Sequence, residues 1–262
     1  MDLQLNGKVA MVTGGSRGLG LAMAETLAAE GMSVSICARD AKAVNAAGLQ
    51  IDDITVRSGG RAGKMHLVGD VTRVADMEKW VGGVAREFGR IDVLVNNAGA
   101  ARPGAIAELP DSAWQEQFDL NLFAAVRLSR LVAPHMENQG GGSIINIGSI
   151  YGRESGGPLT YNASKAALHS FSKLLAREFA AKKIRVNTVA PGSILVPGGN
   201  WERRFKENPA FEKDFLSREM PAGRLGTATE VAYAVAMLAS PRASWITGAN
   251  IPVDGAQGRS IL

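Results

Sequence analysis

The sequence predicts a doubly wound α/β domain built on one parallel sheet of seven strands. Short, nearly continuous apolar runs alternate with helical patterns along the whole chain, and such runs are strands covered on both faces. The first run passes through a glycine-rich turn straight into a helix, the kind of connection that parallel strands require. No Pro/Ser-rich linker divides the 262 residues, so residues 1–262 read as one domain. A core of that size buries roughly 70–75 % of the surface that the unfolded chain exposes.

Residues 9–12 form the first expected strand, and the helix after the glycine turn runs to about residue 30. Residues 33–38 are the second strand and 41–57 the next helix. Strand 65–68 precedes a helix over 74–88, whose Gly82-Gly83 pair has no explanation in the sequence, at a cost of roughly 1 kcal/mol per glycine. Strand 91–95 ends at Asn96-Asn97-Ala98-Gly99, and a long helix over 111–136 is expected to kink or shorten at Pro134. Strands 143–147 and 184–189 flank a helix over 160–181, and a helix over 229–238 leads to a last strand over 249–253. After Pro191 the alternation breaks into a turn-rich and then charged, amphipathic stretch. An insertion of this length behind a strand's carboxyl end reads as a substrate lid, over about 193–218.

Composition narrows the function classes. The chain is 46 % hydrophobic and 21 % charged, with a formal net charge of +4 and no basic stripe, so nothing points to nucleic acid. No run reaches 18 apolar residues, and the first residues lack a basic segment followed by an apolar one. Neither a transmembrane span nor a secretory signal is therefore expected. The single cysteine, Cys37, lies in an apolar run and reads as a core residue, consistent with a cytoplasmic protein. His66, His135 and His169 show no metal-ligand spacing, so no metal is expected.

The chemistry begins at Thr13-Gly14-Gly15-Ser16-Arg17-Gly18-Leu19-Gly20. Glycines at Gly14, Gly18 and Gly20 let the backbone turn tightly against a pyrophosphate, while the next helix offers unpaired N–H groups and its positive dipole end. The second strand ends Cys37-Ala38-Arg39-Asp40. An acid at the position of Ala38 would bind a ribose 2′-OH and repel a 2′-phosphate. Here Arg39 follows instead, and Arg17 lies in the glycine turn, a pair suited to a phosphate dianion. NADP(H) is the expected cofactor, with NAD(H) as the alternative if Asp40 serves as the ribose acid.

Tyr161 and Lys165 stand four apart, on one face of the expected helix. A cation beside a phenol favours phenolate and lowers its pKa from about 10, which makes the tyrosine a proton donor and acceptor near neutrality. Ser149 closes the apolar strand ahead of that helix, at the sheet edge where ligands bind, and its hydroxyl can hold a substrate carbonyl.

Taken in order, the glycine turn, Asn96-Asn97-Ala98-Gly99, Ser149, Tyr161-x-x-x-Lys165 and Pro191-Gly192 resemble the short-chain dehydrogenase/reductase family over essentially the whole chain. The pattern is most similar to its 3-oxoacyl-acyl-carrier-protein reductases. The resemblance implies a Rossmann-type sheet and hydride transfer between nicotinamide and a ketone or secondary alcohol. It makes Tyr161 the acid/base and gives Lys165 the nicotinamide ribose as well as the phenol. Ser149 polarises the carbonyl, and Asn121 holds a water in a relay to Lys165. Asp70-Val71 contacts the adenine, Asn97-Ala98-Gly99 lies beneath the adenosine ribose, and Pro191-Gly192 with Ile194 flanks the nicotinamide. Ser16 and Leu19 belong to the cofactor turn. Val196 stands where the family often has a threonine, and Ala256 replaces a glycine near the end. Relatives pair the helices over 111–136 and 160–181 into oligomers, so a homotetramer or dimer is implied. The competing readings are an NAD-dependent alcohol dehydrogenase of the same family and a non-catalytic NADP-binding sensor.

Overall fold

The structure, a computed structural model, describes residues 1–261. Strand β1 (Val9–Thr13), helix α1 (Gly18–Ala29), strand β2 (Ser33–Ala38) and helix α2 (Ala41–Arg57) open the chain. They are followed by β3 (Leu67–Val68), α3 (Val74–Phe88), β4 (Val93–Asn96), α4 (Asp111–Phe118) and α5 (Ala124–Asn138). Next come β5 (Gly142–Ile147), α6 (Leu159–Phe179), β6 (Ile184–Pro191) and β7 (Ile194–Leu195). Helices α7 (Asn200–Glu207) and α8 (Pro209–Glu219), strand β8 (Gly226–Thr227), helix α9 (Ala228–Ala239) and strand β9 (Asn250–Val253) complete it.

Seven of these strands form one sheet in the order β3-β2-β1-β4-β5-β6-β9, with every neighbouring pair parallel. The doubly wound parallel sheet expected from the sequence is the one observed. Because side chains alternate across a strand, each central strand feeds two cores. Ala10, Val12, Val93 and Ile145 pack with α1, α2 and α9, whereas Met11, Leu94 and Ile144 pack with α3, α5 and α6. Cys37 joins the second core. Burial, reinforced by Asp76 and Asp70, pushes its thiol up to about 12, so it stays a protonated core residue.

The structure also corrects several local expectations. One of the two glycines in α3 has a packing cause: a Cβ on Gly83 would lie 2.4 Å from the Met65 terminal methyl. The expected helix over 111–136 is interrupted by a π-helical turn over Asp119–Phe123, and Pro134 sits within α5 without ending it. Strand β3 is shorter than expected, because the Met65 carbonyl accepts from the Ser35 hydroxyl instead of joining the ladder. No residue pattern announces the small parallel ribbon β7–β8, which ties the chain after Pro191 to the start of α9. Helices α7 and α8 occupy the interval read as a lid, and Trp201, Phe205, Phe211 and Phe215 form an aromatic cluster between them.

Candidate active site

The order β3-β2-β1-β4 reverses the chain's direction of travel between β1 and β4, and a cleft opens at the carboxyl ends of those strands. Gly14 leaves β1 with φ +64° and donates its N–H to the Cys37 carbonyl at 2.8 Å. A Cβ on Gly20 would come within 2.2 Å of the Gly14 carbonyl oxygen, so α1 can pack this closely on the turn only with glycine there. Thr13 and Asn97 lock the turn to the end of β4. The Thr13 hydroxyl accepts from the Asn97 and Ala98 N–H groups at 2.8 Å each, and the Asn97 side chain donates to the Thr13 carbonyl at 2.8 Å. Thr13 was not singled out by the sequence reading, although its place immediately before the glycines was the available signal. Helix α1 begins with no side-chain cap and no acid in its first turn, so its N–H groups are free to meet an anion.

This turn forms one wall of a cavity of about 720 Å³. All residues assigned above to cofactor contact line it together: the turn from Gly14 through Gly20 apart from Gly15, then Arg39, Asp70, Val71, Asn97, Ala98, Gly99, Tyr161, Lys165, Pro191, Gly192 and Ile194. Ser149 and Trp201 line it as well. Arg17, Ala38, Arg39 and Asp40 all line it, and one oxygen of the Asp40 carboxylate accepts from the Ala43 N–H at 2.8 Å and caps α2. The glycine cradle, the uncapped helix and the length of the cleft fit a dinucleotide.

At the other end, Tyr161 and Lys165 project from α6 beneath the end of β5. Lys165 is 3 % exposed, and its Nζ donates to the Ile147 carbonyl at 2.7 Å and lies 5.6 Å from the Tyr161 ring centroid. Among the described residues no carboxylate forms an ion pair with it, and burial brings its pKa down to about 8. The Ile147 carbonyl is a backbone partner that no residue pattern announced. The Ser149 hydroxyl accepts from the Tyr151 N–H at 3.2 Å and hydrogen-bonds the Tyr161 phenol.

One electrostatic expectation is reversed. Burial raises the Tyr161 pKa, the Ser149 hydroxyl opposes this only in part, and the neighbouring Tyr151 adds to the rise. A desolvated lysine bonded to a backbone carbonyl does not pull the phenol downwards here. Asn121 lies in the π-helical turn behind the cavity. Its side chain accepts from the Ala100 N–H at 3.0 Å and donates to the Ala100 carbonyl at 3.0 Å and the Ser164 hydroxyl at 2.9 Å. Its amide thus joins the segment after β4 to the helix that carries Tyr161.

A dinucleotide cleft that ends in a tyrosine, a serine and a buried lysine defines a nicotinamide-dependent oxidoreductase. Known proteins agree. A family described as enoyl-(acyl carrier protein) reductase matches residues 14–256. The 3-oxoacyl-acyl-carrier-protein reductase FabG of Escherichia coli K12 is 41 % identical over 254 residues, covering 97 % of this chain and 98 % of its own. L-sorbose reductase of Gluconobacter frateurii, solved with NADPH and L-sorbose, superposes with a TM-score of 0.91 at 34 % identity over the full length of both chains. A 7α-hydroxysteroid dehydrogenase solved with NADH and a 7-oxo bile acid superposes at 0.87 with 32 % identity, covering 100 % of this chain and 98 % of its own. The chain belongs to the short-chain dehydrogenase/reductase family, and it is an NAD(P)-dependent oxidoreductase acting on C=O and CH–OH groups.

The packing at Gly20 yields a sharp test. Gly20→Ala forces the Gly14 carbonyl to move and should weaken NADPH binding by at least about tenfold, on the scale of one lost charge-assisted hydrogen bond. Fluorescence titration measures it, and unchanged affinity would show that the turn does not shape the cofactor site.

Proposed function

We propose that this protein reduces a small-molecule ketone with NADPH, using Tyr161 as the proton donor, and that it can run the reverse alcohol oxidation. The observation that carries this reading is the convergence of the Tyr161 phenol, the Ser149 hydroxyl and the buried Lys165 ammonium at one end of a dinucleotide-sized cleft. When bound, the nicotinamide supplies the hydride.

Ser149 holds the substrate carbonyl oxygen beside the phenol, which aligns the proton path before reaction. Tyr161 donates its phenolic proton to that oxygen as charge develops. Burial raises its pKa, so the phenol meets the substrate protonated and able to donate. Lys165 holds the nicotinamide ribose and, through its remaining N–H donors, the return path for a proton. Asn121 is assigned to the relay toward Lys165 that the family resemblance implies, its own amide fixed by Ala100 and Ser164. Residues 193–218 serve as the lid, with Trp201 reaching the cavity wall. The similarity to FabG supports a 3-oxoacyl thioester as the first substrate to try. A cytoplasmic homo-oligomer, a tetramer or dimer, is the form that the resemblance supports.

NADP(H) is preferred in this reading. Arg17 and Arg39 line the cleft, and one carboxylate oxygen of Asp40, the acid that would favour NAD(H), is held by the N-terminus of α2. Charge-assisted bonds contribute about 1.5–3 kcal/mol each, so two partly exposed ones give roughly a ten- to thousandfold preference. Joint replacement Ala38→Asp and Arg39→Ser should reverse it. Dissociation constants for NADPH and NADH at fixed salt decide the point, and equal affinities in the native protein would refute it. Tyr161→Phe should retain NADPH affinity and lose roughly 10²-fold or more in turnover, the usual contribution of a general acid. Near-native turnover in that variant would overturn the mechanism.

A further inference from the structure

His169 takes no part in the chemistry above, yet its ring lies against the turn that presents Ser149. It stands one helical turn after Lys165 on α6. The Ser149 backbone N–H points at its Nε2 from 3.4 Å, and the Asn250 side-chain amide, on β9, lies 2.7 Å from its Nδ1. The turn is moulded to the ring. A Cβ on Gly148 would fall 2.1 Å from Nε2, and one on Gly152 would fall 2.7 Å from Cε1. The two glycines that bracket Ser149–Tyr151 are therefore positions where the imidazole excludes any side chain.

We propose that His169 is the positioning residue for Ser149: a neutral imidazole, protonated on Nδ1, whose Nε2 accepts the Ser149 N–H and so fixes the distance between the Ser149 and Tyr161 hydroxyls. This rests on the assignment of Ser149 and Tyr161 given above. The tautomer follows from the geometry. An N–H aimed at Nε2 requires a lone pair there, which places the ring proton on Nδ1, facing Asn250. The amide then presents its oxygen to the ring. That orientation gives a donor to Asn250 Oδ1, which otherwise is buried without a hydrogen-bond partner. The groups around the ring all oppose a second proton: the Lys165 ammonium from α6, the Arg153 guanidinium from the turn after Ser149, and the Ser149 N–H itself. Burial and these two cations bring the His169 pKa down to about 4, so the acceptor persists through the neutral range. One helix thus carries Tyr161, Lys165 and the support for Ser149, which keeps the three groups in register.

The test uses the full-length protein with NADPH and its best ketone. His169→Leu removes the acceptor and should lower kcat by roughly ten- to a hundredfold, the scale of a misplaced reacting group, with NADPH affinity unchanged. His169→Gln places a carbonyl oxygen near the Nε2 position and should restore most of the loss. In a Ser149→Ala background, His169→Leu should cost little more, because the residue acts through Ser149. An undiminished kcat in His169→Leu, or an equal cost with and without Ser149, would overturn the proposal. If Ser149→Ala alone left turnover intact, the active-site assignment would fail instead. Nitrogen-15 shifts of His169 in the native enzyme provide a test that needs no variant: a neutral Nδ1–H ring at pH 7 is expected, and an Nε2–H or doubly protonated ring would contradict it.

Discussion

The site depends on keeping one positive charge out of water. Lys165 is buried beneath the end of β5, where a backbone carbonyl accepts its hydrogen bond and, among the described residues, no carboxylate pairs with it. Burying an ammonium this way is costly, and the surroundings show how the fold tolerates it. The Ile147 carbonyl takes one donor, and the ring of Tyr161 lies within reach of the cation. The remaining donors face a cleft of dinucleotide size. The lysine's lowered pKa and the tyrosine's raised one have the same origin, desolvation, and both shift the groups toward their neutral forms.

That arrangement follows from the sheet. Parallel strands deliver their carboxyl ends to one edge, and the reversal between β1 and β4 opens the cleft there. The glycine turn after β1 and the segment after β4 are stitched by Thr13 and Asn97, so this wall of the cleft is one hydrogen-bonded unit. At the far end, Ile147 and Ser149 leave β5 and meet α6, and Asn121 ties that helix back to the segment after β4.

Much of this was legible in the residues. Apolar runs gave the strands, and the boundaries of β2, α2 and α3 match the expected ones because caps and turn residues bracket them. The residues proposed for cofactor contact line one cleft, since their order along the chain maps onto strand ends. What was not legible depended on contacts between distant segments. Gly83 makes sense only beside Met65, the π-helical turn only where Asn121 reaches Ala100 and Ser164, and the β7–β8 ribbon only after the segment that follows Pro191 has folded back. The Tyr161 shift was misjudged for a related reason: sequence spacing reports that a lysine is near, but not that both groups are desolvated.

We propose that Lys165, a buried cation with no carboxylate partner among the described residues, completes its hydrogen-bonding on the bound cofactor. Its protonation, followed by NMR of ε-labelled lysine with Lys165→Arg used for assignment, tests this directly. The free enzyme should titrate at about pH 8, and saturating NADP⁺ should move the midpoint upwards as ribose oxygens and phosphate charge stabilise the ammonium. A midpoint near the ordinary 10.4 of an exposed lysine, or one that the cofactor leaves unmoved, would contradict it.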